Sequence, residues 1–365
     1  MNSRKSFARW MLPAVTLIAG LAAAQVPPAA GAPAAPAVPR TLNVPDGALI
    51  AAGPAPELDL LYTGDVIGFI EDCGCHLNPA GGLTRRAWII NQLHANYPKT
   101  PLVLLDSGNF SDNPTDVGDI RTATLLQAMK TLGYKAINVG ERDLTLGYDD
   151  FMKRTEGLGL TFLSTNIVKQ GTKEPVFSPY TIVNVVGTSG KPVSIGVLGV
   201  DRYSPVWQKA GPAETNLGMA APADMIAKYL PEVRAKSDVV VLLVALSKED
   251  AHDLAKRFTD IDLILGAYGG IFNTVEENEG RVGIYYTGNQ GKRIGESRIT
   301  LDSNRRLGDV TSYMHFMTLN YPEDKAMKDA IADVLAKTKA ASPAALKKAS
   351  ALSNPEVSAP AAGGH

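Results

Sequence analysis

Seven short apolar runs, each running into Gly, Asn, Asp or Ser, constrain this chain most. They are LDLLYTG (58–64), PLVLLDSG (101–108), KAINVG (135–140), LTFLSTN (160–166), VSIGVLGV (193–200), VVVLLVAL (239–246) and IDLILG (261–266). Buried strands look like this when their C-terminal ends open into loops. Amphipathic helical stretches lie between several of them: LTRRAWIINQLHANY, DIRTATLLQAMKTLGY, ADMIAKYLPEVRAK and DAHDLAKRFTD. This alternation predicts an α/β sheet covered on both faces. GRVGIYYTGNQ and GESRITLDSNRRLGDVTSYMHFMTL read as later hairpins, and PEDKAMKDAIADVLAKTKAA as a closing helix. No internal repeat is visible.

At 365 residues and 45% apolar content the chain can bury a large core. A net charge of −1 with no long basic run argues against nucleic acid as a partner. The N-terminus reads as a cleavable export signal over 1–24: basic MNSRKSFAR, apolar WMLPAVTLIAGLAAA, and small residues at Ala22-Ala23-Ala24. The apolar run is short and wrongly flanked for a spanning helix, so no stable membrane span is expected after processing; a retained anchor is the other reading. No cysteine lies near the cleavage point to carry a lipid. Residues 25–56, rich in Ala and Pro, read as a flexible linker, 57–340 as the folded domain and 341–365 as a disordered tail. The expected location is periplasmic or secreted, where thiols tend to be oxidised.

Ligands of open α/β sheets bind outside the carboxyl ends of the strands. The polar groups expected to converge there are Asp65, Asp106, Asn109, Glu141 to Asp143, Asn166 and the segment after Gly266.

The strand-end segments GGLTRRAWI, LLDSGN, LGYKAINVGERDLTLG, LSTNI, VSIGVLGV, IDLILGAYGG and TGNQGKRIGE, in this order, resemble the calcineurin-like metallophosphatases. The nearest likeness is to the catalytic domain of periplasmic 5′-nucleotidases and UDP-sugar hydrolases, over most of residues 57–320. The resemblance implies a metallophosphatase-like sandwich of two mixed sheets flanked by helices. It also implies two divalent metals that activate a water for displacement at phosphorus. Most of the family's ligands are replaced. Its first Asp-x-His is Asp65-Val66-Ile67, its bridging Asp is Asn109, and its Asn-His-Glu is Glu141-Arg142-Asp143. The fourth motif's His falls at Ala245 to Lys248, and the final Gly-His-x-His is Ala267-Tyr268-Gly269-Gly270. Arg142 sets a fixed positive charge where the family keeps a catalytic imidazole, which suits an anion without metal. Of the histidines, His94 and His252 read as solvated or capping, and His315 lies in a late strand. No counterpart of the family's nucleobase-stacking C-terminal domain is expected, so the resemblance does not imply nucleotide specificity.

The only two cysteines stand in EDCGCHLNPAGGLTRRA (71–87), in the loop after the first strand. Three readings compete. Cys73 and Cys75 could ligate zinc or copper together with Asp72, His76 or Asp65. They could form a redox pair, because a disulfide across one Gly closes a strained, easily reduced ring; Arg85 and Arg86 would then favour a thiolate. Or they pin a long loop structurally. Arg85 and Arg86 are also candidates for an anion, against a solvated first-turn position. The GG pair suits close helix–sheet approach, and Asp65 and Asp106 suit bonding to loop amides at strand ends as well as they suit a metal.

Two functions follow. One is an exported nucleotidase-like protein with a degenerate dinuclear site, using Cys73 and Cys75, with Arg142, for metal binding or thiol redox work with a periplasmic partner. The other is a metal-dependent phosphoesterase ligated by Asp65, Asn109, Asp143, Asn166 and either Cys75 or His76. The cofactor expected is a divalent metal, zinc or copper at the cysteine loop, or none; the ligand is a small molecule or metal ion.

Overall fold

In the computed structural model the described residues are 40–41, 49–202, 216–266 and 277–340. The expected signal segment, the tail 341–365 and Ala267 to Gly270 lie outside them.

Each predicted run forms a strand. A seven-stranded sheet contains β1 (Arg40–Thr41), β2 (Leu58–Thr63), β3 (Leu102–Asp106), β4 (Tyr134–Asn138), β5 (Phe162–Leu163), β14 (Arg293–Leu301) and β15 (Leu307–Phe316). Their order is β1-β15-β14-β2-β3-β4-β5, with β2 to β5 parallel and β14 antiparallel to β2. A six-stranded sheet contains β7 (Tyr180–Val186), β8 (Pro192–Asp201), β10 (Val239–Ala245), β11 (Leu263–Gly266), β12 (Glu277–Glu279) and β13 (Val282–Tyr286), in the order β12-β13-β11-β10-β8-β7. Two short strands, β6 (Ile167–Lys169) and β9 (Leu217–Met219), pair separately.

The strands read as continuous apolar runs because both faces are covered. Leu58, Leu60, Tyr62, Val103 and Leu105 point inward from the first sheet and pack on Ile195, Val241, Leu243 and Leu265 of the second. Residues of the opposite parity, such as Leu61 and Leu104, face α1 (Leu83–Asn96), α2 (Asp116–Leu132) and α6 (Lys325–Ala340). Val240 and Leu242 face α4 (Pro222–Ala235) and α5 (Lys248–Arg257) on the far side. The result is four layers, helix–sheet–sheet–helix, and each buried Leu or Val contributes about 1.5–3 kcal/mol. Thr115 starts α2 by accepting the Gly118 amide at 3.0 Å, and Gly133 ends it at φ 82°.

Two expectations change. Residues 49–56 are not a free linker: Ala51 is buried and its carbonyl accepts Arg298 Nη2 at 2.7 Å, while Leu49 and Ile50 pack on the core. A helix not anticipated, α3 (Tyr148–Thr155), follows the third strand-end loop and buries only Phe151. Among the described residues no helix is long and apolar enough to cross a membrane.

Candidate functional site

The carboxyl ends of the two sheets meet at one edge, as the topology requires. Ser107 Oγ donates to the Leu265 carbonyl at 2.8 Å, and Asn138 Nδ2 donates to Ser107 and Val200 carbonyls at 3.1 and 3.3 Å. The loops after β2 and β3 run side by side: the amides of Asp65, Ile67 and Gly68 donate to the carbonyls of Gly108, Asn109 and Phe110. Such sharp turns put Asp65 at φ 52° and Asn109 at φ 57°, left-handed conformations that Asn and Asp tolerate best among non-glycines. Gly140 allows the third loop to close on the second, since a Cβ there would lie 2.3 Å from Asn109 Oδ1.

Asp65 and Asn109 are brought together, on adjacent loops joined by the Asp65 amide on the Gly108 carbonyl at 2.9 Å and the Ile67 amide on the Asn109 carbonyl at 3.1 Å. Burial pushes the Asp65 carboxyl up to about 7, against the opposing pull of Arg142 and Asn109. Asn109 Oδ1 accepts the Arg142 amide at 3.1 Å, and Arg142 Nη2 donates to Asn113 Oδ1 at 3.1 Å. Arg142 Nε is buried without a hydrogen bond. Beside it Glu141 pairs with Arg202 at 3.3 Å, and Asp201 is fully buried, its carboxyl raised well above the usual range by burial and then by Glu141.

The other two candidate ligands at this edge are already engaged. Asp143 takes the amides of Asn109 and Gly140 on Oδ2 at 2.8 and 2.9 Å and that of Ser111 on Oδ1 at 2.9 Å. Asn166 Nδ2 donates to the carbonyls of Asp201 and Ala220, while its Oδ1 accepts the Asp201 amide at 2.9 Å. Three histidines are elsewhere: His94 is exposed on α1, His252 bonds Glu279, and His315 is buried against Glu296 and Tyr321. Among the described residues no group of three or more His, Cys, Asp or Glu could hold a metal ion. These residues do not fit a dinuclear centre.

The cysteine loop leaves the same edge. Its base is a short antiparallel contact, Asp72 to Gly81, closed by the Cys73 amide on the Ala80 carbonyl at 2.9 Å. Ala80 in turn bridges Thr318, and the Gly81 amide bonds the Met317 carbonyl. Gly81 must be glycine: φ is +100°, and a Cβ would meet the Gly291 carbonyl oxygen at 2.9 Å. The tip turns at Gly74, φ 62°, whose amide bonds Asp72 Oδ1 at 3.0 Å. Residues 74–78 are exposed, including Cys75 and His76, whereas Cys73 is half-buried. Both cysteines are free thiols; the Cys73 thiol donates to the Asn78 carbonyl at 3.8 Å and the Cys75 thiol to the Cys73 carbonyl at 3.9 Å. Burial pushes the Cys73 thiol up, but the Cys75 thiol, the Ala80 and Cys75 amides and the Lys292 charge outweigh it and hold it below its usual range. The Cys75 thiol is raised, first by the neighbouring Cys73 thiol.

Arg85 and Arg86 are not solvated first-turn residues. Arg85 is buried and bonds the Gly81 carbonyl at 3.2 Å. Arg86 is wholly buried, bonds Tyr134 Oη at 3.4 Å, and sets its charge toward Asp106. Asp106 itself bonds Thr63 Oγ1 at 2.5 Å and the Gly108 amide at 2.9 Å.

The four-layer sandwich superposes on the crystal structure of the calcineurin-like phosphoesterase YfkN from Bacillus subtilis with a TM-score of 0.66 at 18% identity, covering 78% of this chain and 98% of that one. The fold is that of the calcineurin-like phosphoesterases. A 5′-nucleotidase precursor from Thermus thermophilus has the same phosphoesterase fold, with a TM-score of 0.64 at 23% identity over 78% of this chain and 59% of that one. By sequence the chain is similar to a 2′,3′-cyclic-nucleotide 2′-phosphodiesterase/3′-nucleotidase of Salmonella typhimurium, 27% identical over 193 residues, 48% of this chain and 29% of the relative. The chain thus spans less than a third of that relative's length. No family model matches it. The resemblance read from the strand-end motifs stands for this phosphoesterase fold.

Sequence reasoning missed a charged cluster on the helix-covered face of the first sheet. Glu296 bonds Arg298 Nε at 2.5 Å and His315 Nε2 at 2.6 Å, and Asp59 lies beside them, fully buried. The Arg298 guanidinium is held between the rings of Tyr97 and Tyr313, 4.9 and 4.7 Å from their centroids. Charged residues at alternate positions of apolar strands were the available signal.

Proposed function

We propose that this is an exported nucleotidase-like protein that has lost the dinuclear metal centre of its fold and works through Cys73 and Cys75 as a thiol redox pair. The observation that carries this is the placing of two free thiols one residue apart, the Cys75 thiol bonded to the Cys73 carbonyl at 3.9 Å, on a loop at the ligand edge of the sheets. A thiolate metal site would need further ligands. Asp72 has one oxygen on the Gly74 amide, and no third donor group gathers with the thiols among the described residues. Engagement of Asp143 and Asn166 with backbone groups supports loss of the phosphohydrolase site. Export is supported by the basic and apolar N-terminal sequence.

The test is a redox titration of the purified protein against mixtures of reduced and oxidised glutathione, read by thiol alkylation and mass. The expected result is one two-electron couple that disappears in Cys73→Ser and in Cys75→Ser. A pair that stays reduced across the whole range rules the reading out.

The similarity to a 2′,3′-cyclic-nucleotide 2′-phosphodiesterase/3′-nucleotidase favours a second reading, a metal-dependent phosphoesterase using Asp65, Asn109, Asp143 and Asn166 with Cys75 or His76. It requires divalent-metal-dependent cleavage of a generic phosphoester that is lost in Asp65→Ala.

A further inference from the structure

We infer that the oxidised Cys73–Cys75 pair donates its disulfide to a polypeptide dithiol, with the partner's thiolate attacking Cys75 Sγ and Cys73 departing. The inference rests on the thiol-pair reading above and adds direction, the order of the two sulfurs and the class of partner.

Access separates the two sulfurs. Cys75 stands on the exposed tip, between exposed Gly74 and His76, so its sulfur can be approached from solvent. Cys73 is half-buried at the base, its amide tied to Ala80 and its thiol directed at the Asn78 carbonyl 3.8 Å away. An incoming thiolate therefore meets Cys75 first. The surroundings then favour Cys73 as the leaving group. The amides of Ala80 and Cys75 lie where they stabilise a Cys73 anion; the Lys292 charge favours both sulfurs, while Asp72 acts unfavourably on Cys75. A better-stabilised leaving thiolate departs faster.

Direction comes from the ring. One residue, Gly74, separates the cysteines, so oxidation closes a ring too small for a relaxed disulfide. Strained disulfides have the higher, more oxidising potentials. The pair is suited to giving up its disulfide rather than to reducing one.

The partner class comes from the surface beside the sulfur. Leu77, two residues beyond Cys75, is 93% exposed, and Leu319, next to the Thr318 that bridges the loop base, is 57% exposed. These apolar side chains flanking a reactive sulfur suit the side chains around a cysteine in a polypeptide better than a small polar thiol.

The chemistry balances as follows. The partner's first thiolate forms a bond to Cys75 Sγ as the Cys75–Cys73 bond breaks and Cys73 leaves as thiolate. The partner's second thiolate attacks its own sulfur in that mixed disulfide, forming the partner's disulfide and releasing the Cys75 thiolate. The two protons lost by the partner's thiols reach Cys73 and Cys75 through water. Two electrons pass from the partner's dithiol to the pair.

The experiment oxidises the purified protein with glutathione disulfide, removes the excess and mixes it with a peptide carrying one cysteine beside apolar residues, followed by acid quenching and mass mapping. The expected mixed disulfide is at least about tenfold more abundant on Cys75 than on Cys73. A two-cysteine peptide is expected to be oxidised as both protein thiols appear. Leu77→Asn is expected to lower the ratio of the peptide rate to the glutathione rate about fivefold. Equal labelling, labelling on Cys73, or an unchanged ratio overturns the inference while leaving the thiol pair intact. A pair that glutathione disulfide cannot oxidise overturns both.

Discussion

The carboxylate of Asp143 accepts the Asn109 amide at 2.8 Å, joining two strand-end loops 34 residues apart in sequence. With Gly140 and Ser111 on the same carboxylate, three backbone donors converge on a side chain whose family counterpart belongs to the metal-binding third motif. These hydrogen bonds tie the second and third strand-end loops together.

Asp143→Ala should therefore destabilise the protein, by about 2–4 kcal/mol, because buried amides lose their acceptor. Urea denaturation measures this. A metal-free ligand cluster predicts the opposite sign, since removing a carboxylate from such a cluster relieves repulsion. A stabilised Asp143→Ala variant would contradict the anchoring role.

Gly140→Ala should cost about 2 kcal/mol or more, since the new Cβ would lie 2.3 Å from Asn109 Oδ1 and 2.6 Å from its amide nitrogen. The amide nitrogen is backbone, and Oδ1 is tied to the Arg142 amide at 3.1 Å. A melting temperature equal to wild type would show that the two loops do not close as described.

Asp106 gives a pH dependence of definite sign. Burial raises its carboxyl to about 6, against the pull of the Thr63 hydroxyl, the Gly108 amide and Arg86. An acid whose folded pKa is raised contributes stability that is complete below its unfolded pKa and lost as pH rises through the folded one. Asp106→Asn should accordingly gain on wild type by up to about 3 kcal/mol between about pH 4 and about pH 8. Denaturation curves collected across that range would run parallel if the carboxyl were not buried as described.

The cluster under the helices separates two carboxylates by role. Glu296→Ala should cost about 3–5 kcal/mol, because it strands Arg298 and His315 in the interior. Asp59 is raised well above the usual range by burial and then by Glu296, so its surroundings disfavour the charge that Glu296 keeps through Arg298 and His315. Asp59→Asn should change stability by less than about 1 kcal/mol. Equal losses in both variants would refute this division.

The parallel strands were legible in the sequence because burial on both faces makes them unbroken apolar runs. The edge strand Tyr180–Val186 was not, since most of its residues are only partly buried and its pattern is weak. Nor was Tyr148–Thr155, a polar helix with one buried residue. At the site, sequence named Asp65 and Asn109, which do meet, but could not tell whether Asp143 and Asn166 face a ligand or a backbone amide. The residue types are the same in either case. Arg86 misled for a related reason: a basic residue in a first helical turn is usually solvated, and only the third dimension places Gly291 over it, where a Cβ would lie 2.9 Å from Nη2.

The central claim is that the phosphoesterase fold persists here without its dinuclear centre. The most direct measurement is the metal content of the protein purified under reducing conditions without chelator. Less than about 0.1 equivalent of manganese, iron or zinc per chain is predicted. About two equivalents, lost in Asp65→Ala and Asn109→Ala, would contradict the account and restore the metal-dependent phosphoesterase.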